Sequence, residues 1–149
     1  MKKFLPITIL VILADRVTKI LAESLPADGV TLLPGLLGLR RGMNTGIAFS
    51  LLSGHPRLLG IFSILIILIV CLCLRGRSLS RLAKTGLALM LGGALSNAWD
   101  RLFSGAVPDM IEFLFVRFAI FNVADAALVI GCVLLMIAVL TEKPKEENP

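Results

Sequence analysis

Residues Leu58 to Leu74 form a run of 17 residues without a charge, bounded by Arg57 and Arg75. As a helix this run is about 25 Å long, close to the roughly 30 Å hydrocarbon core of a bilayer. A soluble fold would have to bury it, and the rest of the chain cannot supply the cover. Of 149 residues, 57% are hydrophobic and only 17% charged, with mean hydropathy +0.94. Ordinary globular chains run at about 45–50% apolar and about 25% charged. These values exclude a disordered chain, a disulfide-rich secreted module and most soluble enzymes, and point to an integral membrane protein.

Three further apolar segments accompany the first. One covers residues 4–22 behind the basic start Met1-Lys2-Lys3. It has the outline of a signal peptide, but Asp15, Arg16 and Lys19 interrupt it and no small-residue cleavage site closes it. It is read as a retained span. Another covers residues 84–101 and is rich in Gly and Ala, which lets a neighbouring helix approach closely. The last covers residues 118–140, with Asn122 and Asp125 near its start. The expected fold is an all-α membrane bundle of four transmembrane helices, spans at 4–22, 58–74, 84–101 and 118–140, in one domain over residues 1–141. Residues 142–149 form a polar cytoplasmic tail. The connections at 23–57 and 102–117 are extracytoplasmic. Short stretches in VTLLPGLLGLRR, and the partly alternating FSGAVPDMIEFLFVR, predict a small β-sheet over the helix ends.

The net charge of +5 matches the basic flanks of membrane helices better than a nucleic-acid interface, because no basic stripe interleaves with stacking aromatics and Tyr is absent. With the N-terminus inside, the inner face carries eight Lys or Arg (Lys2, Lys3, Arg75, Arg77, Arg81, Lys84, Lys143, Lys145). The outer connections carry five (Arg40, Arg41, Arg57, Arg101, Arg117). The positive-inside rule therefore places both termini in the cytoplasm. Cys71, Cys73 and Cys132 sit inside apolar runs and are read as buried small hydrophobes.

That orientation brings the polar residues together. Asp15 and Lys19 lie toward the outer end of the first span, and Asn97, Asp100 and Arg101 at the outer end of the third. Asn122 and Asp125 lie in the first turns of the fourth, and Asp109 in the outer connection before it. An acid at membrane depth costs about 2.5–3.5 kcal/mol on insertion scales, so each of these is a functional candidate. Pairing accounts for some: Asp15 has Lys19 at i+4, and Asp100 is adjacent to Arg101. Asp109 and Asp125 have no cation three or four residues away. Asn44, Asn97 and Asn122 are suited to capping a helix or turn. The chain has no Ser-His or Cys-His arrangement and no His/Cys cluster for a metal; its one histidine, His55, precedes Pro56 in a turn-rich loop. The chemistry left is that of carboxyls. Two of them a few ångströms apart share a proton, one serving as base on a water and the other as acid. Asp109 and Asp125 are 16 residues apart, so only the fold can unite them. Other readings of the same polar groups are a small transporter, with polar residues at several depths, and a lipid-binding assembly protein.

Five motifs occur in order: Asp15-Arg16-Val17-Thr18-Lys19, Asn44-Thr45-Gly46-Ile47-Ala48-Phe49, Gly92-Gly93-Ala94-Leu95-Ser96-Asn97-Ala98-Trp99-Asp100-Arg101, Gly105-Ala106-Val107-Pro108-Asp109 and Phe121-Asn122-Val123-Ala124-Asp125. Together they resemble the lipoprotein signal peptidase (signal peptidase II) family over nearly the whole chain. The resemblance implies a four-helix aspartyl endopeptidase of the bacterial inner membrane, with its active site facing the periplasm or exterior. It implies removal of signal peptides from prolipoproteins carrying a diacylglyceryl group on the cysteine after the cut. The family's catalytic pair maps onto Asp109 and Asp125, and its supporting residues onto Asp15, Lys19, Asn44, Gly46, Asn97, Asp100, Arg101 and Asn122. Membrane lipids and globomycin-type inhibitors are the expected ligands, no cofactor or metal is required, and a monomer is expected. Ser96 stands where the family usually has Gly.

Overall fold

The structure is a computed structural model describing residues 2–46 and 54–141; Ile47, Ala48 and Phe49 of the second motif, and the polar tail at 142–149, lie outside the described residues. Four helices carry the chain: α1 (Leu5–Ala22), α2 (Pro56–Cys73), α3 (Arg81–Trp99) and α4 (Val123–Thr141). Pro6 and Pro56 stand in the first turns of α1 and α2, where a missing N–H costs nothing. Ser80 caps α3 by accepting from the Ala83 N–H at 3.1 Å.

Helix α3 is the centre of the bundle. Parallel to it runs α1, with Thr8 Oγ1 donating to Ala88 O and Val11 packed on Gly92. Antiparallel to it runs α4, and glycines set the distance between the two. A Cβ on Gly93 would lie 2.3 Å from Ala124 O, and one on Gly131 2.5 Å from Gly86 O. These crossings leave no room for any side chain. Helix α2 packs on the far end of α3, where Gly60 faces Leu102 and Ala98 O.

Three strands cover one end: β1 (Val30–Leu33), β2 (Leu37–Asn44) and β3 (Val107–Phe113), antiparallel in that order. The first two form a hairpin closed by Pro34-Gly35, with Gly35 at φ 71° and the Leu36 N–H bonded to Leu33 O. Both expected strand regions thus hold strands, but the second is not extended from its start. Asp100–Ser104 is a π-helical turn that continues α3, ended by Gly105 at φ 73°. The register of β3 on β2 sets Asp109 across from Gly42 and Val107 across from Asn44.

Burial runs opposite to that of a water-soluble protein. Leu58, Ile61, Phe62, Ile66, Ile69 and Leu72 of α2 are exposed, while Asp15, Lys19, Asn97, Asp100, Asp109 and Asn122 are buried. Apolar outside and polar inside is the arrangement expected where lipid is the solvent. Helices α2 and α4 have the length and hydropathy (2.6 and 2.7) to cross a membrane. Two expectations are corrected. The cysteines are not buried but exposed on the outer faces of α2 and α4 and unpaired, since a small apolar residue is at no disadvantage against lipid. And α4 begins at Val123, not near residue 118. Phe121 pairs with Ile111 in an isolated bridge, and Asn122 then starts the helix.

Candidate active site

The site is built where the ends of α1, α3 and β3 meet the start of α4. Its geometry begins with an N-cap. Asn122 Oδ1 accepts from the Asp125 N–H at 2.8 Å, and the Asn122 N–H donates to Asp125 Oδ2 at 3.2 Å. This reciprocal pair is a capping box with Asp at its third position. A carboxylate there also lies against the positive end of the helix. Asp15 satisfies a further free N–H of α4, its Oδ1 accepting from Ala124 N at 2.9 Å.

The same Asn122 reaches the sheet. Its Nδ2 donates to Asp109 Oδ1 at 2.7 Å and to Asn97 Oδ1 at 3.2 Å. Asn97 Nδ2 donates in turn to Asp125 Oδ1 at 2.8 Å. So the Asp109 and Asp125 carboxyls, distant in sequence, are connected through two amides, Asn122 on the first and Asn97 on the second, bonded to each other. Asp109 is buried, and its carboxyl is pushed up to about 6, first by loss of water and then by the neighbouring Asp125 charge. Hydrogen bonds from Asn122 and Asn44, and the charge of Lys19, oppose that rise. Among the described residues neither carboxyl forms an ion pair.

Behind them lies a charge-balanced cluster. Lys19 Nζ donates to Asp100 Oδ2 at 2.7 Å and to Asn97 Oδ1 at 3.1 Å, and forms an ion pair with Asp15 at 2.5 Å. Arg16 pairs with the other oxygen of Asp100. The i, i+4 pairing of Asp15 with Lys19 is present, but Asp100 turns to Arg16 and Lys19 rather than to Arg101. Adjacent residues of a helical turn point in different directions, so Asp100 and Arg101 do not face each other. Arg101 instead donates to Gly46 O at 2.9 Å, in the electrostatic field of Asp125, Asp109 and Asp100. Its Nε is buried without a hydrogen-bond partner among the described residues. Asn44 caps its own turn, accepting from the Gly46 N–H at 2.9 Å.

The sequence reading gave no role to two residues of this cluster. Arg16 was visible as a cation inside a span. Ser96 stood out only as a small residue in place of Gly; its Oγ donates to Asp15 Oδ2 at 2.6 Å.

A buried carboxyl and a half-buried one, both held by amides inside an apolar helical bundle, define the class, a membrane hydrolase of the aspartic type. Comparison with known proteins agrees. The family described as Signal peptidase (SPase) II matches residues 7–141. A lipoprotein signal peptidase of Gloeobacter violaceus is 35% identical over 144 residues, 95% of this chain and 83% of that protein. One from Lactobacillus johnsonii is 36% identical over 146 residues, covering 96% and 95% of the two chains. A bacterial membrane enzyme solved by the in meso method at 2.3 Å superposes with a TM-score of 0.86 at 30% identity, over 100% of this chain and 96% of that one. The chain belongs to the signal peptidase II family and is a membrane aspartic peptidase. Nothing in these comparisons supports a transporter or an assembly protein.

Proposed function

We propose that Asp109 and Asp125 are the catalytic pair with which this chain hydrolyses the signal peptide bond of a lipoprotein precursor. The observation that carries this reading is the Asn122 amide, bonded to Asp109 through Nδ2 and to the Asp125 backbone through Oδ1. Asn122 so ties the Asp109 carboxyl to the helical turn that carries Asp125, and the two acids, with no cation paired to either among the described residues, hold one proton between them. Asp109, buried where Asp125 is only half-buried, is the partner that carries it. Asp125 takes a proton from water, the water oxygen attacks the scissile carbonyl, and Asp109 polarises that carbonyl by donating its proton. Collapse of the tetrahedral intermediate returns a proton to the leaving amine. Asp15, Lys19, Asn44, Gly46, Asn97, Asp100, Arg101 and Asn122 support the pair.

The remaining parts of the reading rest on the lipid-facing surface, on charge, and on what membership of the signal peptidase II family implies. All four helices span the bacterial inner membrane as one domain over residues 1–141, with both termini cytoplasmic and the sheet and site at the outer face. The substrates are prolipoproteins bearing a diacylglyceryl-cysteine. Their acyl chains approach from the lipid along the exposed apolar helix faces, and globomycin-type inhibitors occupy the same site of a monomeric enzyme.

The test is turnover of a synthetic diacylglyceryl-modified precursor by purified protein. Asp109→Asn and Asp125→Asn are each expected to lose at least 10³-fold in rate, in line with removal of a general acid or base, while remaining folded. Either variant keeping most of its rate would overturn the assignment.

A further inference from the structure

The connection between β3 and α4 keeps an apolar character that no helix explains. Residues 113–121 read FLFVRFAIF, with Arg117 the one charge. Residues 114–120 belong to no helix or strand. The Phe113 ring packs against Phe115, Phe118 and Phe121, with centroids 5.4, 5.9 and 5.1 Å away, and gathers the segment into a knuckle. That packing still leaves Phe115 63%, Phe118 50% and Val116 48% exposed. Large apolar side chains turned outward together mark a surface that meets something other than water.

At Val123 the same chain enters α4, a helix apolar enough to cross a bilayer, with Val129 and Ile130 exposed along it. The knuckle therefore stands at the height where lipid begins. At this end of the bundle Trp99 and Phe103 are also exposed, their ring centroids 4.3 Å apart. Exposed aromatic rings at helix ends form the belt of a membrane–water interface. Arg117 is exposed and in no ion pair among the described residues. It lines one cleft of about 430 Å³ with Arg40, whose own partner is Glu112. A guanidinium without a carboxylate is suited to a lipid phosphate. Irregular backbone is not tolerated against hydrocarbon, where its N–H and C=O groups would go unpaired, and this limits the depth to the headgroup level. We propose that the 113–121 knuckle is seated in the leaflet on the sheet side of the bilayer, with Phe115, Val116 and Phe118 among headgroups and upper acyl chains and Arg117 on a phosphate. Because the knuckle joins the strand of Asp109 to the helix of Asp125, its seat also sets the height of both acids against the bilayer.

The experiment reads depth in the full chain, reconstituted as single copies in nanodiscs of dioleoyl phosphatidylcholine and phosphatidylglycerol. Trp99→Phe removes the only native tryptophan, and Phe115→Trp places one in the knuckle. Phosphatidylcholine brominated near the headgroup is expected to quench that tryptophan at least about twofold, and more than phosphatidylcholine brominated at the chain end, as for a seat roughly 5–10 Å into the headgroup boundary. Free quenching by acrylamide with none by either brominated lipid would show the knuckle in water and overturn the proposal. Protection from acrylamide without quenching by brominated lipid would show a protein cover instead of lipid and also overturn it. Stronger quenching from the chain end would contradict the headgroup depth and count against it equally. If the Phe115→Trp protein does not fold, Val116→Trp in the same background reads the same outcomes. No turnover is measured, so the result is decided apart from the catalytic pair, whose failure shows as retained activity in the Asp109→Asn or Asp125→Asn proteins.

Discussion

Asp109 illustrates how one residue is made reactive at the expense of the fold. Its carboxyl titrates near 6 in the folded protein and near 3.8 when free, so between those values the folded chain binds more protons than the unfolded one. Stability from this group therefore falls as pH rises through that window and is recovered on acidification. Asp109→Asn, inactive by the reading above, should melt at a higher temperature than the parent at pH 7.5, with the difference shrinking toward pH 5; thermal denaturation in detergent checks both points. Ser96 offers the converse case. It gives a buried carboxylate one short hydrogen bond, and Ser96→Gly should cost about 1.5–3 kcal/mol of stability. Asp15 keeps its bonds to Lys19 and Ala124 N, so turnover of the variant at a temperature where it is folded should stay within a few-fold of the parent.

At the scale of elements, the site depends on how closely α3 and α4 approach. Gly93 lies one turn before Asn97 on α3 and packs against the first turn of α4, which holds Asp125. A methyl at Gly93 would strike Ala124 O, a backbone atom that cannot step aside. Gly93→Ala should separate the helices, destabilise by about 1–3 kcal/mol and lengthen the Asn97–Asp125 bond. Activity should fall at least tenfold even where the protein remains folded, measured as kcat on the modified precursor. The cap of α4 is a second such point. Asn122→Ala removes the partner of the Asp125 N–H, worth about 1 kcal/mol as a cap. It also removes the bridge to Asp109, so rate should suffer far more than stability.

For the whole molecule, the governing fact is that apolar side chains face outward along the helices while the buried charges gather at the end that carries the sheet. In the proposed topology, with both termini in the cytoplasm, the hairpin tip and the α2–α3 connection lie on opposite sides of the bilayer. With Cys71, Cys73 and Cys132 replaced by Ala, a cysteine at exposed Leu36 should react with an impermeant maleimide added outside intact cells. One at exposed Arg77 should react only after the membrane is opened. The reverse pattern would invert the proposed topology.

The linear chain determined the environment and the ingredients. The charge-free run of α2 demands lipid or burial whatever the fold, Pro34-Gly35 makes a turn by its own geometry, and five short motifs were enough to mark the family. The start of α4, the partner of Asp100 and the link between Asp109 and Asp125 were decided only in three dimensions. Each depends on a contact between segments far apart in sequence: Phe121 with Ile111, Arg16 with Asp100, Asn122 with Asp109. Local spacing offered Arg101 to Asp100, but helical geometry turned them apart. Apolar periodicity could not see where α4 stopped extending outward, because Phe118 to Phe121 are as apolar as the helix they precede. A single amide satisfying a helix end and a strand at once exists only when helices packed on glycine bring both within about 3 Å.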